Sequence, residues 1–133
     1  QDAAAVAIFE MGRGIVFTYR GSWCAEGVNT TWESDWRIVG TQGSVRWDGA
    51  TGFQAQVVEE TGGFFSKWRA VEVPAAEPDD RIGGHRGVIA DFVRCVQTGA
   101  TPETAAADNI KSLAMVFGAI ESAETGTRVA IRD

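Results

Sequence analysis

Trp36-Arg-Ile-Val-Gly-Thr-Gln-Gly-Ser-Val-Arg-Trp-Asp48 is the stretch on which the fold turns. Four residues, Gly40-Thr-Gln-Gly43, separate two short runs in which apolar and polar residues alternate, the signature of a β-hairpin. Upstream, Ala4 to Glu10 is a short apolar run, and Met11-Gly-Arg-Gly14 is a turn into the next strand. There Ile15, Phe17, Tyr19, Gly21 and Trp23 alternate with Val16, Thr18, Arg20 and Ser22, so period two puts the aromatic set on one face. Cys24 to Thr31 lacks periodicity and reads as a loop. The hairpin strands run Ser34–Val39 and Ser44–Trp47, Asp48-Gly-Ala-Thr-Gly52 is a second turn, and Phe53–Glu59 and Lys67–Val73 are two further strands. Consecutive strands with short connections pair antiparallel, because parallel neighbours need long crossovers.

The period then changes. Pro74 to Asp80 is a polar, proline-bearing linker, after which His85, Ile89, Phe92 and Val96 form one helical stripe that ends at Gly99. Thr101-Pro102 is expected to open a second helix with the stripe Ile110, Leu113, Phe117 and Ile120, stopped by Gly126. Arg128 to Ile131 reads as a closing strand. Strands followed by helices define an α+β fold: an open-faced, mostly antiparallel sheet with two helices packed on one face. Two helices cannot cover both faces of five or six strands. Phe17, Tyr19, Trp23, Trp36, Trp47 and Trp68 are more aromatics than a solvated face carries, so an interface is expected there.

Composition narrows the function. The 133 residues suit one domain, and the net charge of −6 is the wrong sign for a nucleic-acid surface or an anionic membrane. No apolar run reaches the roughly 20 residues that span a bilayer. Cys24 and Cys95 lie far apart, without metal-ligand spacing, and read as free thiols in a reducing, cytoplasmic compartment. One histidine makes a zinc site improbable, so no metal is expected.

Candidate site residues are few. Trp23, Asn29 and Trp32 bracket the loop and combine aromatic plates with an amide, the chemistry that grips sugar-like ligands; the competing reading is an exposed loop with one or two core tryptophans. His85 is either a packing residue at a helix start or a substrate contact, and Arg86 could meet a substrate carboxylate. Asp79-Asp80-Arg81 and Glu59-Glu60 read as solvated charge, and Asp91 with Arg94 as a modest surface pair. No serine lies in a Gly-x-Ser-x-Gly context, which leaves a hydrolase nucleophile without support.

Three segments in this order, Arg37-Ile-Val-Gly-Thr-Gln-Gly-Ser-Val, the helical Asp91-Phe-Val-Arg and Ser122-Ala-Glu-Thr-Gly-Thr-Arg-Val, resemble the Gfo/Idh/MocA oxidoreductases, and the likeness runs from Ala4 to Ile131. The resemblance implies a two-domain enzyme: an N-terminal Rossmann domain holding NAD or NADP, and a C-terminal open-faced sheet that lines a sugar or polyol site and mediates homo-oligomerisation. This chain is similar to the later part of the C-terminal domain. It has neither a Gly-x-Gly-x-x-Gly turn nor the family's Glu-Lys-Pro motif with the catalytic lysine, and the helix with its Asp and His pair is expected upstream of Gln1. No catalytic residue is therefore carried over, and no cofactor is expected to bind this chain. Two other readings remain: a stand-alone interaction module using the aromatic sheet face, and a carbohydrate-binding module using the tryptophans as plates.

Overall fold

The computed structural model describes residues 3–74 and 83–132, which fall into two compact units: strands up to Ala76 and helices from Glu77 onward. The linker from residue 75 to Asp80, with Asp79, Asp80 and Arg81, lies outside the described residues.

In the first unit, β1 (Ala4–Glu10) and β2 (Val16–Ser22) form a two-stranded antiparallel sheet. They are joined through Met11 and a single 3-10 turn at Gly12–Gly14. A four-stranded antiparallel sheet follows in the order β3 (Trp36–Val39), β4 (Gly43–Trp47), β5 (Phe53–Glu60), β6 (Lys67–Val71). The expectation of one sheet of five or six strands is thus corrected: the described residues form six strands in two sheets. The long Trp23–Asp35 connection separates β2 from β3, and no ladder joins them. Both sheets are open, and with the helices they make the fold α+β.

Register explains the amphipathicity. Ile38 opposes Val45, Val45 opposes Ala55 and Ala55 opposes Val71, while Trp36 opposes Trp47 and Trp47 opposes Phe53. All these side chains share one face. Arg37, Arg46 and Gln54 share the other. Trp68 opposes Val58 on that second face, so it does not belong with Trp36 and Trp47. The ladder requires Gly43: a Cβ there would collide with the Gln56 carbonyl oxygen across the strand. At the far end of β5 a bulge between Val58 and Glu60 turns both carboxylates of Glu59-Glu60 toward cations, Arg69 at 3.2 Å and Lys67 at 2.5 Å. What read as solvated charge is a pair of ion pairs, both well exposed.

Five rings, one on each of β1 to β5, make three stacks. Phe9 and Phe17, direct partners in register, stack at 5.9 Å. Phe17 stacks on Trp36 at 6.1 Å, and Trp47 stacks on Phe53 at 5.6 Å with the rings 5° from parallel. The Phe17–Trp36 stack ties the sheets together where no backbone ladder does.

The second unit holds α1 (Gly84–Thr98) and α2 (Ala106–Thr125). Each ends on a left-handed glycine, Gly99 at φ 73° and Gly126 at φ 66°, whose N–H donates to a carbonyl four residues back. The apolar stripe is not the buried side of α1. Ile89, Phe92 and Val96 are exposed, whereas Gly87, Asp91 and Cys95, spaced four apart, are buried. The stripe of α2, Ile110, Leu113, Phe117 and Ile120, is exposed as well.

The cause on α1 is Asp91. It is 8% exposed, pairs with Arg94 at 2.5 Å and accepts the backbone N–H of Glu103 at 3.0 Å. That bond anchors the 99–105 connection to the Asp91 side of α1, and α2 begins at Ala106 rather than at Thr101-Pro102. Asp91 and Arg94 are therefore a fixed structural pair rather than a loose surface one. The closing strand also fails to form: Arg128–Ile131 pairs with no strand among the described residues. It runs back along α2, where Ile131 Cγ1 lies 2.8 Å from the position a Cβ on Gly118 would take.

If Phe17 and Trp36 join the two sheets, their replacements must be coupled. A double-mutant cycle of Phe17→Ala and Trp36→Ala, read by urea unfolding of the β signal, is expected to give a coupling of about 1 kcal/mol, the usual size for an aromatic pair. Additive effects would mean that the stack joins nothing.

Candidate functional site

The Trp23–Asp35 connection carries most of the candidate residues, and its ends are held by specific bonds. At the start, the Trp23 N–H donates to the Ala3 carbonyl at 2.8 Å, extending the β1–β2 ladder, and the Cys24 N–H donates to Ser22 Oγ at 3.2 Å. At the finish, Thr31 Oγ1 donates to the Gly49 carbonyl at 2.9 Å and accepts the Glu33 N–H at 3.2 Å. The Thr31 carbonyl takes the Ser34 N–H at 3.1 Å, with Ser34 at φ 68°. The receiving turn is itself closed, because Asp48 Oδ1 accepts the N–H groups of Ala50 and Gly52 at 2.9 and 3.0 Å.

Between these anchors the structure brings Trp23 and Trp32 together. Their ring centroids lie 5.4 Å apart at 61°, an edge-to-face pair. Asn29 is exposed in the loop joining them, with no bond to either ring. Close by on β2, the Tyr19 hydroxyl lies over Gly21, in the space a Cβ on Gly21 would need. His85 and Arg86 occupy adjacent exposed positions in the first turn of α1, in the helical unit. Thr31, Asp48 and Tyr19 were not singled out by sequence reasoning. The Asp-Gly-x-x-Gly turn was a visible signal for Asp48, but nothing local marks Thr31, whose partner is 18 residues away.

Below the loop, Asp35 receives two bonds from Arg46, Nε to Oδ1 at 3.2 Å and Nη2 to Oδ2 at 2.6 Å. The guanidinium holds the Asp35 carboxyl below the ordinary carboxylate range, and the carboxylate raises Arg46 in return. Elsewhere on the four-stranded sheet an open hollow of about 400 Å³ lies around the Gly40–Gly43 turn. Ile38, Val45, Ala55, Val57 and Val71 line it with Thr41, Gln42, Ser44 and Gln56, so it offers apolar surface and a neutral rim but no acid, base or nucleophile.

Among the described residues no three of His, Cys, Asp and Glu gather as a metal would require, and no helix is long and apolar enough to cross a membrane. Cys24 is exposed, Cys95 is buried, and both are free. Among the described residues there is no dinucleotide cradle. A pyrophosphate needs a glycine-rich turn leading from a strand into a helix N-terminus, and neither α1 nor α2 is entered that way from a described strand.

The family model described as oxidoreductase family, C-terminal alpha/beta domain, matches residues 1–131. The chain belongs to the Gfo/Idh/MocA oxidoreductases, as their C-terminal domain. Searches of curated proteins and of solved structures returned no match.

The Asp35–Arg46 pair gives the loop a defined acid sensitivity. Because the folded-state pKa of Asp35 is depressed, the pair's contribution is complete above the unfolded-state value of about 3.9 and is lost as pH falls through the lower folded value. Titration of Asp35 Cγ by NMR is expected to show protonation only below about pH 4, with the Arg46 Nε–H signal changing in step. An Arg46→Gln variant should return Asp35 to the ordinary carboxylate range.

Proposed function

We propose that this chain is the C-terminal substrate and oligomerisation domain of a two-domain, NAD(P)-dependent oxidoreductase acting on a sugar or polyol. The observation that carries the reading is the family match over residues 1–131. The cofactor and the proton-transfer groups then belong to an N-terminal Rossmann domain, the partner of this one. When bound there, NAD or NADP accepts or delivers the hydride. This chain contributes the shape of the pocket and no catalytic residue.

Within that reading Trp23, Asn29, Trp32, His85 and Arg86 are the candidate substrate contacts. The exposed Ile38 and Phe53, beside the half-exposed Trp36, support a homo-oligomer built on the sheet face. A net charge of −6 gives no support to a nucleic-acid or membrane partner. Two free thiols suit a reducing, cytoplasmic location.

Two measurements test this. Calorimetry of the chain alone with NAD and NADP is expected to show no binding, while the protein with its Rossmann domain binds one of them and reduces it with a sugar or polyol. Binding of dinucleotide by the chain alone would sink the division of labour. Light scattering at tens of micromolar should give a dimer or larger assembly, and a monomer would remove the oligomerisation role.

A further inference from the structure

Phe64 and Phe65 lie in the connection between β5 and β6 and are 96% and 84% exposed. Their rings pack edge to face on each other, with centroids 4.8 Å apart. Phe9, Phe17 and Phe53, the other phenylalanines of the sheet unit, each stack on a ring of a neighbouring strand. The fold therefore uses those three and leaves this pair in water.

The ground beneath the pair is electrically balanced. Glu59 and Glu60 on β5 are paired with Arg69 and Lys67 on β6, so the apolar tip rises from a strand end without net charge. An aromatic anchor inside a polar collar is the arrangement of an interface hot spot.

The open hollow around the Gly40–Gly43 turn lies at the same end of the sheet. Gly43 opposes Val57, and the Val58 N–H donates to the Gln42 carbonyl at 2.9 Å, just before the tip begins at Thr61. Ile38, Val45, Ala55, Val57 and Val71 give the hollow its apolar surface, and none of the residues lining it is charged. An apolar cavity of about 150 Å³ holds one benzene ring, so the hollow, at about 400 Å³, has room for both phenyl rings.

We propose that the Phe64–Phe65 tip of one copy of this chain seats in the Gly40–Gly43 hollow of a second copy, and reciprocally. This rests on the homo-oligomer reading above and gives it a specific contact. A second copy fits because tip and hollow share one end of one sheet: a two-fold axis seats both tips at once, and the assembly closes. Four phenylalanines at about 150–250 Å² each, met by about the same area of hollow, bury about 1,200–2,000 Å², the size of a stable interface. Charge agrees with this. Each copy carries −6, so two copies repel, and their approach is least opposed where both surfaces are neutral.

The experiment is sedimentation equilibrium of the protein with its Rossmann domain. A dimer is expected at tens of micromolar, no weaker at about 0.5 M salt than at about 0.1 M, since screening removes repulsion and leaves the apolar contact. Phe64→Ala with Phe65→Ala deletes the tip, and Ala55→Phe fills the hollow. Each change should raise the dimer dissociation constant at least tenfold, with the tryptophan near-ultraviolet circular dichroism unchanged in a folded variant. Mixed together, the two variants should form a heterodimer tighter than either homodimer, because that pairing alone restores one tip in one hollow.

A tip variant that dimerises at wild-type strength, or a mixture without heterodimer, overturns the proposal and leaves an oligomer on another part of the sheet face. Wild-type protein that stays monomeric removes the oligomer reading as well. Nuclear Overhauser contacts from the Phe64 and Phe65 rings to the Val45 and Val71 methyls, in a mixture of labelled and unlabelled copies, should run between copies. The same contacts confined to one copy would make the tip a lid on its own hollow and overturn the proposal.

Discussion

The stack of Phe17 on Trp36 is the contact on which the sheet unit depends. Backbone ladders stop between β2 and β3, so hydrogen bonding alone would leave a hairpin beside a four-stranded sheet. An isolated hairpin is marginal in water. The ring contacts from Phe9 to Trp36 bridge the missing ladder, and within the four-stranded sheet register puts the row Trp36, Trp47 and Phe53 on one face. The same row fixes where the Trp23–Asp35 loop ends, because Trp36 is both a ring of the row and the first residue of β3. The candidate loop thus inherits its rigidity from the sheet, through Thr31 and Gly49 at one point and Trp36 at the next.

How much of this was legible in the sequence follows from the range of the interactions. The hairpin at Gly40–Gly43, the strands β4 and β5 and the helix stops at Gly99 and Gly126 are set by alternation and glycine placement within a few residues and appear within a residue of where the sequence puts them, while β6 starts at Lys67 as expected but ends at Val71 rather than Val73. The division into two sheets, the late start of α2 and the unformed strand at Arg128–Ile131 depend on partners far along the chain. Asp91 shows the limit well: three residues from Arg94 it reads as a surface pair, and only the bond from the Glu103 amide makes it a buried anchor. The apolar stripes of α1 and α2 were legible as stripes, but hydrophobic periodicity names a face that favours burial without naming what covers it.

The candidate site divides the same way. Residue type picked out Trp23, Asn29 and Trp32, because large rings with an amide in a loop without apolar period are conspicuous. It could not separate them from Trp36 and Trp47, which have the same side chain. What separates them is where the indole N–H goes. A tryptophan whose ring is stacked within the fold and whose N–H meets a backbone carbonyl has its capacity for interaction used by the fold. Trp36 and Trp47 are in that condition. Trp23 and Trp32 pack edge to face on each other, largely exposed, and their N–H groups meet no protein group among the described residues.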